Sequence, residues 1–163
     1  MRIIARPLTA AAFAPFGDVL SVEGEPDKLI NAGLCGRYHD RANLDFGPEG
    51  GAGISLFKAD LRSLPYTLDM MERHPDGSQA FLPMDVHPFL VIVALDYGGK
   101  PGAPVAFLTH PGEGVNYHRN VWHGVLTPLA GNGLFAVVDR IGQTPNLQEH
   151  RFDVPYEVIC DAN

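Results

Sequence analysis

The sequence predicts an all-β protein with a few short helices, folded as a jelly-roll β-barrel, and two observations lead there. Eighteen glycines and 14 prolines among 163 residues leave little room for long helices, since both residues weaken helix interiors. Runs rich in β-branched residues return about every ten to fifteen residues, each fenced by Gly, Pro or Asn. With hardly any helix between the runs, antiparallel strands in a sandwich or barrel fit better than the crossover helices of a parallel sheet.

The elements follow in order. Thr9 is placed to cap a short helix over Ala10–Ala14, which Pro15 ends. A second short helix is expected at Leu61–Leu64, closed by Pro65. Phe89–Ala94 reads as a buried central strand, bounded by Pro88 and by a turn at Tyr97-Gly98-Gly99. Val105–Thr109, Val121–Thr127 and Leu134–Asp139 repeat the pattern. Gly47-Pro48-Glu49-Gly50-Gly51 is the best loop, too short to divide domains, so one domain is expected over 1–163.

Composition removes several functions. Apolar residues are 45% and charged residues 19% of the chain, which fits a folded core. A net charge of −7 gives no electrostatic footprint for nucleic acid or anionic lipid. No stretch approaches the roughly 20 apolar residues of a membrane span, and Met1–Leu8 lacks the apolar run of a signal peptide. Cys35 and Cys160 are far apart, without CxxC spacing, and read as reduced thiols. The expectation is a cytoplasmic protein without nucleic-acid or membrane partners.

Two polar stretches carry candidate chemistry. In Glu72-Arg73-His74-Pro75-Asp76-Gly77-Ser78-Gln79, strands Tyr66–Glu72 and Gln79–Leu82, if adjacent, turn Glu72, His74 and Gln79 toward one barrel interior. In Gly114–Gly124, alternation points Val121 and His123 inward and Trp122 the other way. His123 is then an interior imidazole suited to holding a divalent metal or moving a proton. His118 sits in a turn and reads as structural. Arginines suit a small carboxylate because the guanidinium grips it with two parallel bonds, and Arg37, Arg73, Arg119 and Arg140 are the candidates. Arg37 and His39 would share a strand face, whereas Asp139-Arg140 reads as an internal ion pair or a binding element.

Phe13-Ala14-Pro15-Phe16-Gly17-Asp18-Val19, Arg37-Tyr38-His39-Asp40, Glu72-Arg73-His74-Pro75, Gly77–Phe81 and Gly114–His123 together resemble the ureidoglycolate lyase family. Asp139-Arg140, Asn146-Leu147 and Glu149-His150 extend the likeness over nearly the whole chain. The resemblance implies a cupin-like barrel, usually a homodimer, that cleaves (S)-ureidoglycolate to glyoxylate and urea in allantoin and purine-nitrogen breakdown. It also implies a divalent metal such as Ni2+. General cupins carry two histidines one residue apart and then a glutamate, whereas here the pattern is Glu72, His74 and Gln79 with His123 later. Those four form the expected mixed oxygen and nitrogen metal set.

On this reading an arginine, Arg37 or Arg119, clamps the substrate carboxylate, with Arg73, Ser78 and Asn116 also expected to bind substrate. His74 or His123 takes the hydroxyl proton, and Tyr117 or Glu72 delivers one to the departing urea nitrogen. Alternatives are an amidohydrolase releasing ammonia and a non-catalytic cupin that binds a small carboxylate.

Overall fold

Phe89–Ala94 offers no polar face, so a strand built from it must be covered on both sides. The computed structural model describes residues 1–160; the last three positions of the expected 1–163 domain lie outside the described residues. In chain order the elements are β1 (Arg2–Pro7), the helix α1 (Ala10–Phe13), β2 (Gly17–Leu20), β3 (Lys28–Ile30), β4 (Cys35–Arg37), β5 (Gly51–Lys58), β6 (Tyr66–Arg73) and β7 (Gln79–Pro83). They continue as β8 (Phe89–Ala94), β9 (Asp96–Tyr97), β10 (Lys100–Pro101), β11 (Val105–Leu108), β12 (Gly114–Tyr117), β13 (Trp122–His123), β14 (Thr127–Pro128), β15 (Leu134–Ile141) and β16 (Gln148–Cys160).

Strands β11, β1, β16, β6, β13 and β8 pair in that order, and β8 pairs back onto β11, so the sheet closes into a barrel. The second main sheet runs β2-β12-β7-β15-β5. Every residue of β8 is buried, because its two faces serve different cores. Leu90, Ile92 and Ala94 join Ala5, Leu68, Met71, Ala106, Trp122 and Val158, contributed by all six barrel strands. Phe89, Val91 and Val93 instead meet Phe81, Val115, Tyr117, Phe135 and Val137 of the second sheet.

The helix α1 adds Phe13, fully buried, to this intersheet core. Thr9 caps it as expected, its hydroxyl accepting from the Ala12 amide at 3.2 Å. The chain then enters β2 at Gly17, where any Cβ would overlap the Asn116 carbonyl oxygen. Only glycine permits so close an approach of two backbones. The turn expected at Tyr97-Gly98-Gly99 joins β9 to β10, with both glycines at positive φ.

The all-β, cupin-like expectation holds, but four details are corrected. Leu61–Leu64 is not helical: the Arg62 amide instead donates across the chain to the Pro128 carbonyl at 2.8 Å. The single run expected at Val121–Thr127 splits into β13 and β14, where the Gly124 amide turns to the Ile92 carbonyl. The strands are not all antiparallel, since β1 runs parallel to both β11 and β16. Finally, β6 and β7 are not neighbours, because β13 and β16 occupy both edges of β6 and the chain crosses to the other sheet between Arg73 and Gln79.

Leu68, fully buried among the barrel side chains, sets a measurable scale. Leu68→Ala is expected to lower the unfolding free energy by about 2–5 kcal/mol, read from urea denaturation. Leu34→Ala, at a side chain 89% exposed, is expected to shift it by less than about 0.5 kcal/mol.

Candidate functional site

Directly opposed residues of an antiparallel pair project their side chains from the same face. On the barrel, His123 of β13 lies opposite Glu72 of β6, and Glu72 lies opposite Glu149 of β16. On the second sheet, Tyr117, Gln79 and Asp139 form a matching row across β12, β7 and β15. The two rows meet between the sheets, where Tyr117 stacks on His123 with ring centroids 4.4 Å apart and planes within 3°. His74 follows β6, with its ring centroid 5.3 Å from that of His123. One donor atom from each of Glu72, His74 and His123 lies within 4.8 Å of the others.

The rings are oriented by the backbone. The Nδ1 of His74 is 2.6 Å from the Asn146 carbonyl oxygen, and that of His123 is 3.0 Å from the Gly124 carbonyl oxygen. A carbonyl only accepts, so each Nδ1 carries a proton, and in a neutral ring Nε2 is then the acceptor. Both Nε2 atoms are buried without a hydrogen-bond partner, as is Gln79 Oε1. Three unpartnered acceptors therefore belong to the residues of one intersheet space.

Burial dominates the electrostatics. It pushes the His123 imidazole down to about 3; His74 adds to the fall and the bond to the Gly124 carbonyl opposes it. The same burial lifts the Glu72 carboxyl above its ordinary range, with His74 opposing and Glu149 assisting. The Tyr117 phenol is raised by burial and then by Glu72. At neutral pH the space thus holds a neutral imidazole, a phenol that keeps its proton and a carboxyl group with more proton affinity than usual.

The structure brings together His74, His123, Glu72 and Tyr117, with Gln79 on the wall opposite Glu72. Arg73 points the other way: its guanidinium lies 4.6 Å over the Trp122 ring, bonded to Gln148 and Asp96. Ser78 is buried and holds the Asp45 segment, its hydroxyl accepting from the Asp45 amide at 2.9 Å. Arg37 is exposed on the β3–β4 hairpin, 2.9 Å from its neighbour His39. Arg119 bonds the Pro75 carbonyl beside His74 and lies 3.8 Å from Asp45 and 4.0 Å from Asp76. The Asp139–Arg140 ion pair does not form, because adjacent strand residues face opposite ways. Arg140 instead donates to the Phe46 carbonyl, and Asp139 turns to Gln79.

Sequence reasoning missed Asp139 as a partner of Gln79, Glu149 as a neighbour of Glu72, and the carbonyls of Asn146 and Gly124 that orient the rings. Strand register supplies the first two, and one sequence alone does not reveal it. The carbonyls leave no side-chain signal at all.

With this geometry in view, comparison with known proteins is specific. The model of the ureidoglycolate lyase family matches residues 1–159. The chain is 63% identical over 154 residues to the ureidoglycolate lyase of Rhodobacter capsulatus, covering 94% of this chain and 96% of the relative. It is 53% identical to ureidoglycolate lyase 2 of Rhizobium meliloti, covering 94% of each chain. Against the ureidoglycolate lyase of a Chelativorans species the identity is 51%, over 96% of each chain. Among the described residues no helix is long and apolar enough to cross a membrane.

Asn116 is fully buried and faces away from Tyr117, donating to Asp18 at 2.9 Å and to the Asn43 carbonyl at 3.2 Å. Asp18 also accepts from the Asn43 amide at 2.8 Å and lies 3.1 Å from His118 Nε2. Partial burial pushes the Asp18 carboxyl up, but the bonds from Asn116 and Asn43 and the nearby His118 outweigh it and hold it below 3.8. A depressed carboxyl stabilises the fold above its unfolded value and loses that contribution as pH falls through the folded one. Asp18→Asn is therefore expected to destabilise the protein at pH 7, with the gap to wild type closing below about pH 4. Urea midpoints measured from pH 7 to 2 check it; a gap independent of pH contradicts it.

Proposed function

Because the chain belongs to the ureidoglycolate lyase family, we propose that the space between its two sheets is where (S)-ureidoglycolate is cleaved to glyoxylate and urea. The observation that carries the location is the pair of bare, buried imidazole nitrogens beside Glu72 and Tyr117. Buried polar groups are nearly always partnered, so two unpartnered acceptors at one place point to a ligand that arrives from outside.

The donor set fits a divalent cation. Ligating histidines characteristically give their other N–H to a backbone carbonyl, as both rings do here. Glu72, His74 and His123 would hold the ion, whereas Gln79, the fourth donor expected from sequence, comes from the facing sheet and is left out of that set; imidazole with carboxylate suits Ni2+ among others. When bound, such an ion polarises a substrate oxygen as a Lewis acid.

The reaction removes the hydroxyl proton, breaks the carbon–nitrogen bond with its electron pair passing to nitrogen, and adds a proton to that nitrogen. Tyr117 keeps its proton in this setting and is the donor to the urea nitrogen. Glu72, whose burial raises its proton affinity, takes the hydroxyl proton and returns one to Tyr117, completing the cycle. The proton-accepting role expected of either histidine passes to Glu72 in this reading, since each ring has a single free nitrogen for the ion whereas a carboxylate keeps a second oxygen for a proton. Arg119, which grips the backbone next to His74, is the arginine best placed for the substrate carboxylate.

The homodimer and cytoplasmic setting implied by the family belong to the same reading. Ile54 and Leu56, 78% and 67% exposed on β5, offer a second copy an apolar surface.

Equal amounts of urea and glyoxylate, without ammonia, are the expected products; ammonia in place of urea would indicate hydrolysis instead. Tyr117→Phe and Glu72→Gln are each expected to lower kcat by about a hundredfold to ten-thousandfold. Turnover within twofold of wild type in either variant removes that residue from the chemistry. His74→Ala and His123→Ala are each expected to weaken Ni2+ binding at least about tenfold in calorimetric titration.

A further inference from the structure

We infer that Gln79 is a specificity-determining residue: Asp139 fixes its amide so that the carbonyl oxygen accepts an N–H of the substrate's ureido group. The inference rests on ureidoglycolate being the ligand of the intersheet space and deepens that reading.

The first support is orientation. Gln79 Nε2 lies 3.4 Å from Asp139 Oδ2, and the two residues are direct cross-strand partners. Asp139 Oδ2 accepts from this amide nitrogen, and a flipped amide would set oxygen against oxygen. Asp139 therefore holds the NH2 on its own side and leaves Oε1 on the other.

The second support is that Oε1 is buried and unpartnered although Gln79 is only 6% exposed. An acceptor left so is unfavourable, and a ligand N–H relieves it. The third is position. Gln79 lies directly opposite Tyr117 across β7 and β12, and such neighbours have Cβ atoms about 4.5–5.5 Å apart. A phenol donating to one nitrogen of the ureido group therefore stands beside a carbonyl able to receive an N–H of the same group. The cation donors Glu72, His74 and His123 come from the barrel side, so the second sheet is left to read the nitrogen end.

Asp139 touches no substrate in this arrangement; it is a positioning residue acting through Gln79. The interaction predicts discrimination between ligands that carry N–H groups and those that do not.

The test uses calorimetric titration of the full chain with two probes. Ureidoacetate is the substrate without its hydroxyl group, and glyoxylate keeps the carboxylate but has no N–H. Gln79→Met is expected to weaken ureidoacetate about tenfold, equivalent to about 1.4 kcal/mol, while glyoxylate stays within twofold. Asp139→Asn and Gln79→Glu are each expected to weaken ureidoacetate by at least about threefold. The double variant Gln79→Glu/Asp139→Asn restores one donor and one acceptor across the pair and is expected to return to within about threefold of wild type.

Equal weakening of both probes by Gln79→Met would make the residue structural and overturn the inference. So would unchanged ureidoacetate binding, with or without a loss of Ni2+ affinity; a Ni2+ loss would mark Gln79 as a cation donor. A wild type that binds no ureidoacetate overturns it as well. The titrations need no turnover, so a wild type that releases no urea would defeat the lyase reading while leaving the Gln79 comparison readable.

Discussion

The architecture depends on the double burial of Phe89–Ala94. A strand with no polar face cannot lie at a solvent boundary, and here alternate residues are claimed by two cores. One requirement closes six strands into a barrel; the other brings a second sheet against its outside. The intersheet space exists because both must be met at once, and the site lies where the apolar filling gives way to polar side chains. Tyr117 belongs to both, packing with Phe13 and Phe81 on the core side and stacking on His123.

That position explains why the polar cluster is costly and why it persists. An unpartnered buried acceptor costs about 1–3 kcal/mol, and three belong to this space. A sequence selected for stability alone would have filled these positions with apolar residues of similar volume. The rings are nonetheless held firmly, each by a backbone carbonyl, and His123 is further fixed by the flat contact with Tyr117. Orientation is set before any ligand arrives, which reduces the ordering cost of binding.

How far the sequence discloses this differs by level. The strand runs, the Thr9 cap and the Gly98-Gly99 turn are legible because each is dictated within a few residues. That His123 and Trp122 take opposite faces is likewise legible, since alternation is local, but the sense is reversed: Trp122 joins the barrel core, and His123 faces outward to the second sheet. Adjacency is not: the stretch from Glu72 to Gln79 reads as a hairpin by composition, yet both edges of β6 are taken by β13 and β16. The hairpin expected to group Glu72, His74 and Gln79 does not exist: Glu72 belongs to the barrel, with His74 just after its strand, and Gln79 comes from the second sheet. Arg73 shows the converse: its type suits a carboxylate, but its place in β6 turns it to Trp122.

The two-walled site also suits the reaction. Cleaving a carbinolamine takes a proton from oxygen and gives one to nitrogen at opposite ends of a single O–C–N unit. On one wall alone, acid and base would compete for the same edge of the substrate. On the proposed reading, donors to a cation and a proton acceptor would lie on the barrel, and a phenol and an oriented amide on the second sheet, so that each end would meet its own wall. The stacked contact of Tyr117 with His123 ties the walls together, so their separation is set by packing rather than by a flexible loop. Geometry held by two sheets in this way is what positional catalysis requires.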